Sequence, residues 1–544
     1  MKRGFVVPVF VVALSVAAGG WLLQEGVERS ENVYTRVRLV QEVVDRVKSS
    51  FVEEVDEETL YRSAIDGVIE DLGDPHSSFL PASDYENLRI RTEGEYGGVG
   101  LEIVDRDGYV TVVSPIPSSP GARAGLRPGD RFYEIDGVRA DTMDTDQAVG
   151  LLRGEPGTEV DVLMLRPGVE DPIPFTLERE VIQLKAVPFA LKLRGDVGYV
   201  PLQTVRETSS DEVRAAVDSL RSEGARALIL DLRGNPGGLL DEGIAVTDLF
   251  LPEGEPIVET RGRDEGQSET FRAGDGEAYP DLPVLVLVDG TSASAAEIVA
   301  GALQDHDRAA VLGQPTFGKG SVQSLYRLSG GNVLRLTTAR WYTPVGRSID
   351  APRDEDRDEA EDEALHALSI SGQMVDSSGV GDRPEHRSLG GRTIYGGGGI
   401  VPDVVSVPET LSNAEARSVQ RIFRRGGQFQ QALFRFAVTY VREHPDLQPG
   451  FSLSSADLDA FYGSLPETGE AADREHFERA ERFVRYHLER EIALQAWGEQ
   501  GQFEQSARYD RQLEEALDLL GGVTSPDELF EVLTGSVETV AEGS

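Results

Sequence analysis

The stretch "PVLVLVDGTSASAAEIVAGALQDH", residues 283–306, decides the fold. Val284 to Val288 is apolar at every position and too short for a buried helix. It therefore reads as a strand covered on both faces, the habit of parallel sheets. Asp289-Gly290 ends the run, and the Ala- and Leu-rich residues after it predict a helix. Upstream, "ARALILDLRGNPGG" (225–238) repeats the pattern, a buried strand running into a Gly-rich turn. "VGYVPLQTV" (197–205) is a further strand. "SSDEVRAAVDSLRSEG" (209–224), with Ser210 as its cap, and "LLDEGIAVTDLFL" (239–251) are helices. Strand–helix alternation over residues 184–345 implies an α/β core with a largely parallel sheet.

Composition bounds the function. The 544 residues allow three or four domains, and 39% hydrophobic content supports sizeable cores. With 53 basic and 95 acidic side chains the formal charge is −42, which argues against a nucleic-acid partner. The absence of cysteine excludes disulfides, thiol catalysis and thiolate metal sites. Met1-Lys2-Arg3 precedes an uncharged run at 5–23, a basic head and apolar stretch typical of an export signal and long enough to span a bilayer. Ala17-Ala18-Gly19 suits a signal peptidase, so cleavage stays open; an uncleaved inner-membrane anchor, with everything after Gln24 on the periplasmic side, is the preferred reading.

Around the core, residues 33–72 carry helical stripes such as Val33, Val37, Val40, Val44 and Val47. "GDPHSSFLP" (73–81) breaks them, and His76 reads as a structural turn residue. Residues 95–180 are strand-rich and Gly-punctuated. The order of "EYGGVGLEIV", "GYVTVVSPIP", "RAGLRPGDRFYEIDGV" and "EVDVLMLRPG" resembles a PDZ domain of bacterial proteases. On that resemblance Gly98, Val99, Gly100 and Leu101 match the turn whose amides take a peptide's terminal carboxylate. "DEDRDEAEDEALH" (354–366) reads as a solvated or disordered run, "GGRTIYGGGGIVPDVV" (390–405) as an ordered, Gly-bent return, and the remainder as helices broken near Arg424-Arg425-Gly426.

Chemistry in such a fold sits at the carboxyl ends of the strands. Ser294 falls where a strand hands over to a helix; on position alone Ser292 or Ser294 is simply a helix cap. Lys319 changes the balance. "GQPTFGKGS" (313–321) nearly spells a phosphate loop, but Gly320 stands where Ser or Thr is needed, and the following "SVQSLYRLSGGNVLRLTTARWYTP" reads as a hairpin. A lysine lodged between glycines can be desolvated, and a neutral lysine can activate a serine. His306, at a helix end, reads as solvated and remote, and the G-x-S-x-G elbow is absent.

"TSASAAEIVAGALQDHDRAAVLGQPTFGKGSVQ" (291–323), with "GDPHSSFL", "LILDLRGNPGG" and "ARWYTPVGRSI", resembles the carboxyl-terminal processing peptidases, or tail-specific proteases. The resemblance implies serine endopeptidases with a Ser–Lys dyad: Ser294 as nucleophile, Lys319 as general base, Gln323 orienting the lysine, and the amides of Gly238 and Ala295 as oxyanion hole. It implies no metal and no cofactor. The expected domains are an anchor (1–24), an N-terminal helical region (30–87), a PDZ-like domain (88–182), a protease core (183–407) with an acidic insertion at about 351–389, and a C-terminal helical region (408–544). Expected partners are proteins or peptides with free C-termini, the membrane through the N-terminal segment, and a second copy or an adaptor through the C-terminal helices. The alternatives are a non-catalytic PDZ scaffold and, last, a nucleotide-binding protein using residues 313–321.

Overall fold

The computed structural model describes residues 34–106, 108–274, 276–350, 366–376, 383–423, 426–465 and 474–541. The expected anchor, residues 354–365 of the acidic run and the break at Arg424-Arg425 lie outside the described residues. Among the described residues no helix is long and apolar enough to cross a membrane.

The chain forms two compact units. One takes in the chain up to Tyr85 together with Gln323–Thr337, the other Glu86–Val322 with Thr338–Ser544. In the first, residues 34–50 and Glu57–Glu70 are helical, as the apolar stripes require, and Asp56 caps the second helix by accepting from the Thr59 N–H. Strand Ser78–Leu80 pairs antiparallel with Val333–Arg335. The His76 N–H donates to Asp74, which also takes the Ser77 hydroxyl, so this turn is closed by an aspartate. Ser321–Arg327 and Val333–Tyr342 pair as the expected hairpin.

The second unit is built on six strands: β1 (Leu191–Leu193), β2 (Val197–Pro201), β3 (Ala227–Asp231), β4 (Val284–Val288), β5 (Ala310–Gly313) and β6 (Val404–Val405). They lie side by side in chain order, β1 antiparallel to β2 and the rest parallel. Alternation along each strand divides the side chains between two cores. Leu228, Leu230, Val284, Val286 and Val311 face helices α1 (Ser209–Ser222), α2 (Leu240–Asp248) and α3 (Ala295–Asp305). Tyr199, Ala227, Ile229, Leu285, Leu287 and Leu312 face the other way, onto Leu513, Ala516, Leu517 and Leu520 of the α4 region (Arg511–Leu519) and Leu529 and Leu533 of α5 (Pro526–Ala541). Part of the C-terminal helical region is thus one wall of the α/β core. The other C-terminal helices form a separate core around Phe429, Phe461, Phe477 and Phe483.

Two local expectations need correction. Ser210 is not the cap of α1: the helix begins one residue earlier, and the Ser210 N–H and hydroxyl both donate to Glu242 on α2. A carboxylate from the neighbouring helix satisfies the first turn instead. The insertion at 351–389 is also not uniformly a solvated run. His366–Leu368 pairs with Met374–Asp376, and Glu385–Arg387 with Thr393–Tyr395, because apolar residues such as Ile370, Val375 and Ile394 find buried positions.

Residues Leu101–Arg106, Tyr109–Pro115, Arg131–Ile135, Glu159–Leu165 and Ile173–Glu178 form an antiparallel sheet in that order, with Leu101–Arg106 at its edge. Helix Thr145–Leu152, capped reciprocally by Asp144 and Gln147, packs on it.

Candidate active site

The site is assembled from three turns at the carboxyl ends of β3, β4 and β5. After β4, Asp289 Oδ1 accepts the N–H groups of Thr291 (2.9 Å), Ser292 (3.0 Å) and Gly234 (3.2 Å), locking two turns together. Ser292 is fully buried and donates to the Leu232 carbonyl at 2.8 Å, so it is structural. Ser294 caps α3 with φ 55° and ψ −117°, a backbone state that costs a non-glycine residue roughly 1–3 kcal/mol. The turn is held there from both sides. The Ala293 N–H donates to the Asn235 carbonyl at 2.9 Å and the Ser294 N–H to Glu297 Oε2 at 2.7 Å.

Glu297 is the junction of the site. It is fully buried, and its carboxylate takes four donors: Ser294 N–H, Thr316 hydroxyl (2.5 Å), Gly318 N–H (2.7 Å) and Lys319 N–H (3.0 Å). One oxygen, Oε2, is shared by the backbones of Ser294 and Lys319. Burial pushes this carboxyl above the usual range, while the four donors pull the other way. The sequence reading gave Glu297 no role. The S-x-x-E spacing of Ser294 and Glu297, a capping-box pattern, was the signal that could have found it.

The loop carrying Lys319 is fixed along its length. A Cβ on Gly313 would come within 2.0 Å of the Val288 carbonyl oxygen, so only glycine lets the chain leave β5 there. Gly318 has φ 87°. Beyond it, the Trp341 indole donates to the Lys319 carbonyl at 3.1 Å, and the Gly320 N–H to Asp350 at 2.9 Å. The segment runs from β5 into strand Ser321–Arg327, whereas a phosphate loop opens a helix. The nucleotide reading of residues 313–321 is therefore overturned. Gln323 lies partly buried in strand Ser321–Arg327.

The third turn brings glycines against the serine. Gly238 bridges to Val205, and a Cβ on it would lie 1.8 Å from the Val205 carbonyl oxygen. A Cβ on Gly237 would sit 2.8 Å from both Ser294 Cβ and the Ala295 nitrogen, so Gly237-Gly238 is pressed against Ser294-Ala295. At the start of the same turn Arg233 forks onto Asp231 and Asp510. Beside it a cavity of about 270 Å³ is bounded by Asp231, Asp289, Gln314, Asp510 and Gln512.

His306 is not solvated. It ends α3 with its side chain 7% exposed and its Nε2 2.7 Å from the Pro256 carbonyl, because the strand Pro256–Gly262 covers that helix end. In the edge-strand turn, Gly98 ends the strand Glu95–Gly98, Val99 is buried, Gly100 has φ 69° and Leu101 opens the edge strand. The Ser119 hydroxyl and the Ile116 N–H both donate to the Gly100 carbonyl at 2.9 Å, which pins the turn. Among the described residues no three His, Asp or Glu side chains are grouped to hold a metal ion.

The sequence matches peptidase family S41 over residues 196–355, a PDZ domain over 111–166 and the activating protease CtpB N-terminal domain over 20–83. The carboxy-terminal-processing protease of Bartonella bacilliformis is 39% identical over 346 residues, covering 62% of this chain and 79% of the relative. The carboxyl-terminal-processing protease of a Synechocystis species is 42% identical over 292 residues, covering 53% and 68%. Among solved structures, a photosystem II D1 C-terminal processing protease is similar at 29% identity, with a TM-score of 0.33 over 57% of this chain and 89% of that one. A strained serine at the mouth of a parallel sheet, a PDZ domain in the same chain and relatives matched over most of their length make this chain a member of the carboxy-terminal-processing serine proteases of peptidase family S41.

Proposed function

We propose that the chain is an exported endopeptidase that cuts proteins near their C-termini through a Ser294–Lys319 dyad. Residues 88–182 take the substrate's tail at Gly98–Leu101, and residues 183–407 cut it. Lys319, neutral when substrate is bound, removes the proton from Ser294 Oγ as that oxygen attacks the scissile carbonyl carbon. Gln323 orients the amine. The N–H groups of Gly238 and Ala295 receive the developing oxyanion, each worth about 3 kcal/mol of barrier. Collapse of the tetrahedral intermediate breaks the C–N bond, and Lys319 hands its proton to the leaving nitrogen. Water, deprotonated by Lys319, then attacks the acyl-serine ester and releases the new C-terminus. The basic head and apolar run at 1–23 support export and anchoring.

The observation that carries the reading is the shared Glu297 oxygen, from which the nucleophile turn and the lysine loop both hang. The test is to incubate an unstructured protein with wild type, Ser294→Ala and Lys319→Ala. Wild type should trim it and both variants should leave it intact. Cleavage by all three at one rate would defeat the dyad.

A further inference from the structure

The dyad is not the whole of the machinery in this chain. We infer that Asp510, outside the S41-matched segment 196–355, is a positioning residue for the oxyanion hole, acting through Arg233; this rests on the functional reading above. Asp510 stands between the helix Glu481–Ser506 and α4 and caps α4 by accepting the Leu513 N–H at 3.0 Å. Its two oxygens also take both terminal nitrogens of Arg233, at 2.9 and 2.8 Å. The same guanidinium reaches Asp231 at 2.6 Å and the Gln512 side-chain carbonyl at 3.1 Å. Gln512 in turn donates to the Ser406 carbonyl at 2.7 Å.

Arg233 is five residues from Gly238 on one uninterrupted turn, and the rest of that turn is already fixed. Asn235 donates to the Leu202 carbonyl, the Gly237 N–H donates to Asn235, and the Val205 N–H donates to the Gly237 carbonyl. The entry, where the chain leaves β3, is held by side chains from elsewhere in the sequence: Asp510 and Gln512 on Arg233, and Asp289 on the Gly234 N–H. Tyr199 supports the same end: its hydroxyl donates to Asp231 at 2.7 Å while its ring stacks on Phe503, centroids 4.3 Å apart. A planar fork between two carboxylates fixes direction as well as distance. An amide must point at the oxyanion to within a fraction of an ångström, so loosening the entry is felt at Gly238.

Asp510→Asn is the decisive variant, because asparagine caps a helix as well as aspartate does but cannot hold the guanidinium by charge. Expected is a fall in kcat of roughly 10- to 100-fold, with KM for a tail-bearing peptide within about twofold. Inhibition by a peptide boronate, whose tetrahedral adduct puts an oxygen in the hole, should weaken in step with kcat. Asp510→Glu should recover most of the rate. Arg233→Lys should reproduce the same pattern, and the double variant Asp510→Asn/Arg233→Lys should be no worse than either single one. If Asp510→Asn loses its cooperative melt, Arg233→Lys supplies the same readouts. A kcat within about twofold of wild type, or KM rising as far as kcat falls, would overturn the assignment. That failure is separate from failure of the dyad, which would leave Ser294→Ala or Lys319→Ala active.

Discussion

Ser294 occupies a backbone state that a small polar residue tolerates only when its neighbours enforce it, and most of that enforcement converges on one buried carboxylate. Glu297→Gln tests this. The amide keeps the size but turns one acceptor oxygen into a donor facing N–H groups, leaving buried donors unpaired at roughly 1–3 kcal/mol each. Expected are a lower melting temperature and a kcat loss of about 100-fold, as the serine and lysine backbones lose their common anchor. Wild-type turnover in a well-folded Glu297→Gln protein would contradict it. At this scale the sequence was half legible. Ser294 was legible as the residue where an apolar strand hands over to a helix and Lys319 as a lysine between glycines, while their pairing as nucleophile and base rests on the resemblance to the tail-specific proteases. The role of Glu297 was not, because a glutamate three residues into a helix looks like an ordinary capping partner until the loop at 316–319 is seen folding back onto it. His306 misled for a related reason: a helix end is exposed only if nothing crosses it, and Pro256–Gly262 does.

The strands β3 and β4 were readable because β4 is apolar at every position and β3 at all but its last, Asp231, a pattern that suits a sheet covered on both faces. Their helical cover on one side came with them, as α1, α2 and α3 lie between the strands in sequence. The other cover did not. An amphipathic helix announces that it has something to bury against, never what, and Leu513 lies hundreds of residues from the strands it meets. Leu513→Ala should destabilise the protease core by about 2–5 kcal/mol, measured by chemical denaturation of the full chain. A chain stopped before Arg511 should fail to fold its sheet and should bind hydrophobic dyes. Native-like melting of that truncated chain would show that α4 and α5 are dispensable, against the packing described.

At the scale of the whole molecule, acid should act unevenly. His487 packs between Phe483 and Tyr486 in the C-terminal helical core; burial, aided by Arg490, pushes its imidazole down to about 3. The folded form thus binds fewer protons than the unfolded chain between about 6.5, the ordinary value, and 3. Stability from this group is fully present above pH 6.5 and is lost as pH falls through that window, by at most about 1.4 kcal/mol per unit. Melting curves from pH 7 to pH 4 should show the loss, and His487→Phe should flatten it. An unchanged acid limb in that variant would refute the assignment.

The wall supplied by α4 and α5 has a bearing on biogenesis. A ribosome makes β2 to β5 well before it makes Leu513 to Leu533, so during that interval one side of the sheet has nothing to lie against. The nascent polypeptide is then obliged to wait, unfinished, and a hydrolase in that state has no assembled means of attacking the proteins around it. Arrested translation products ending before residue 511 should accordingly show no peptidase activity, and products extending past 533 should acquire it.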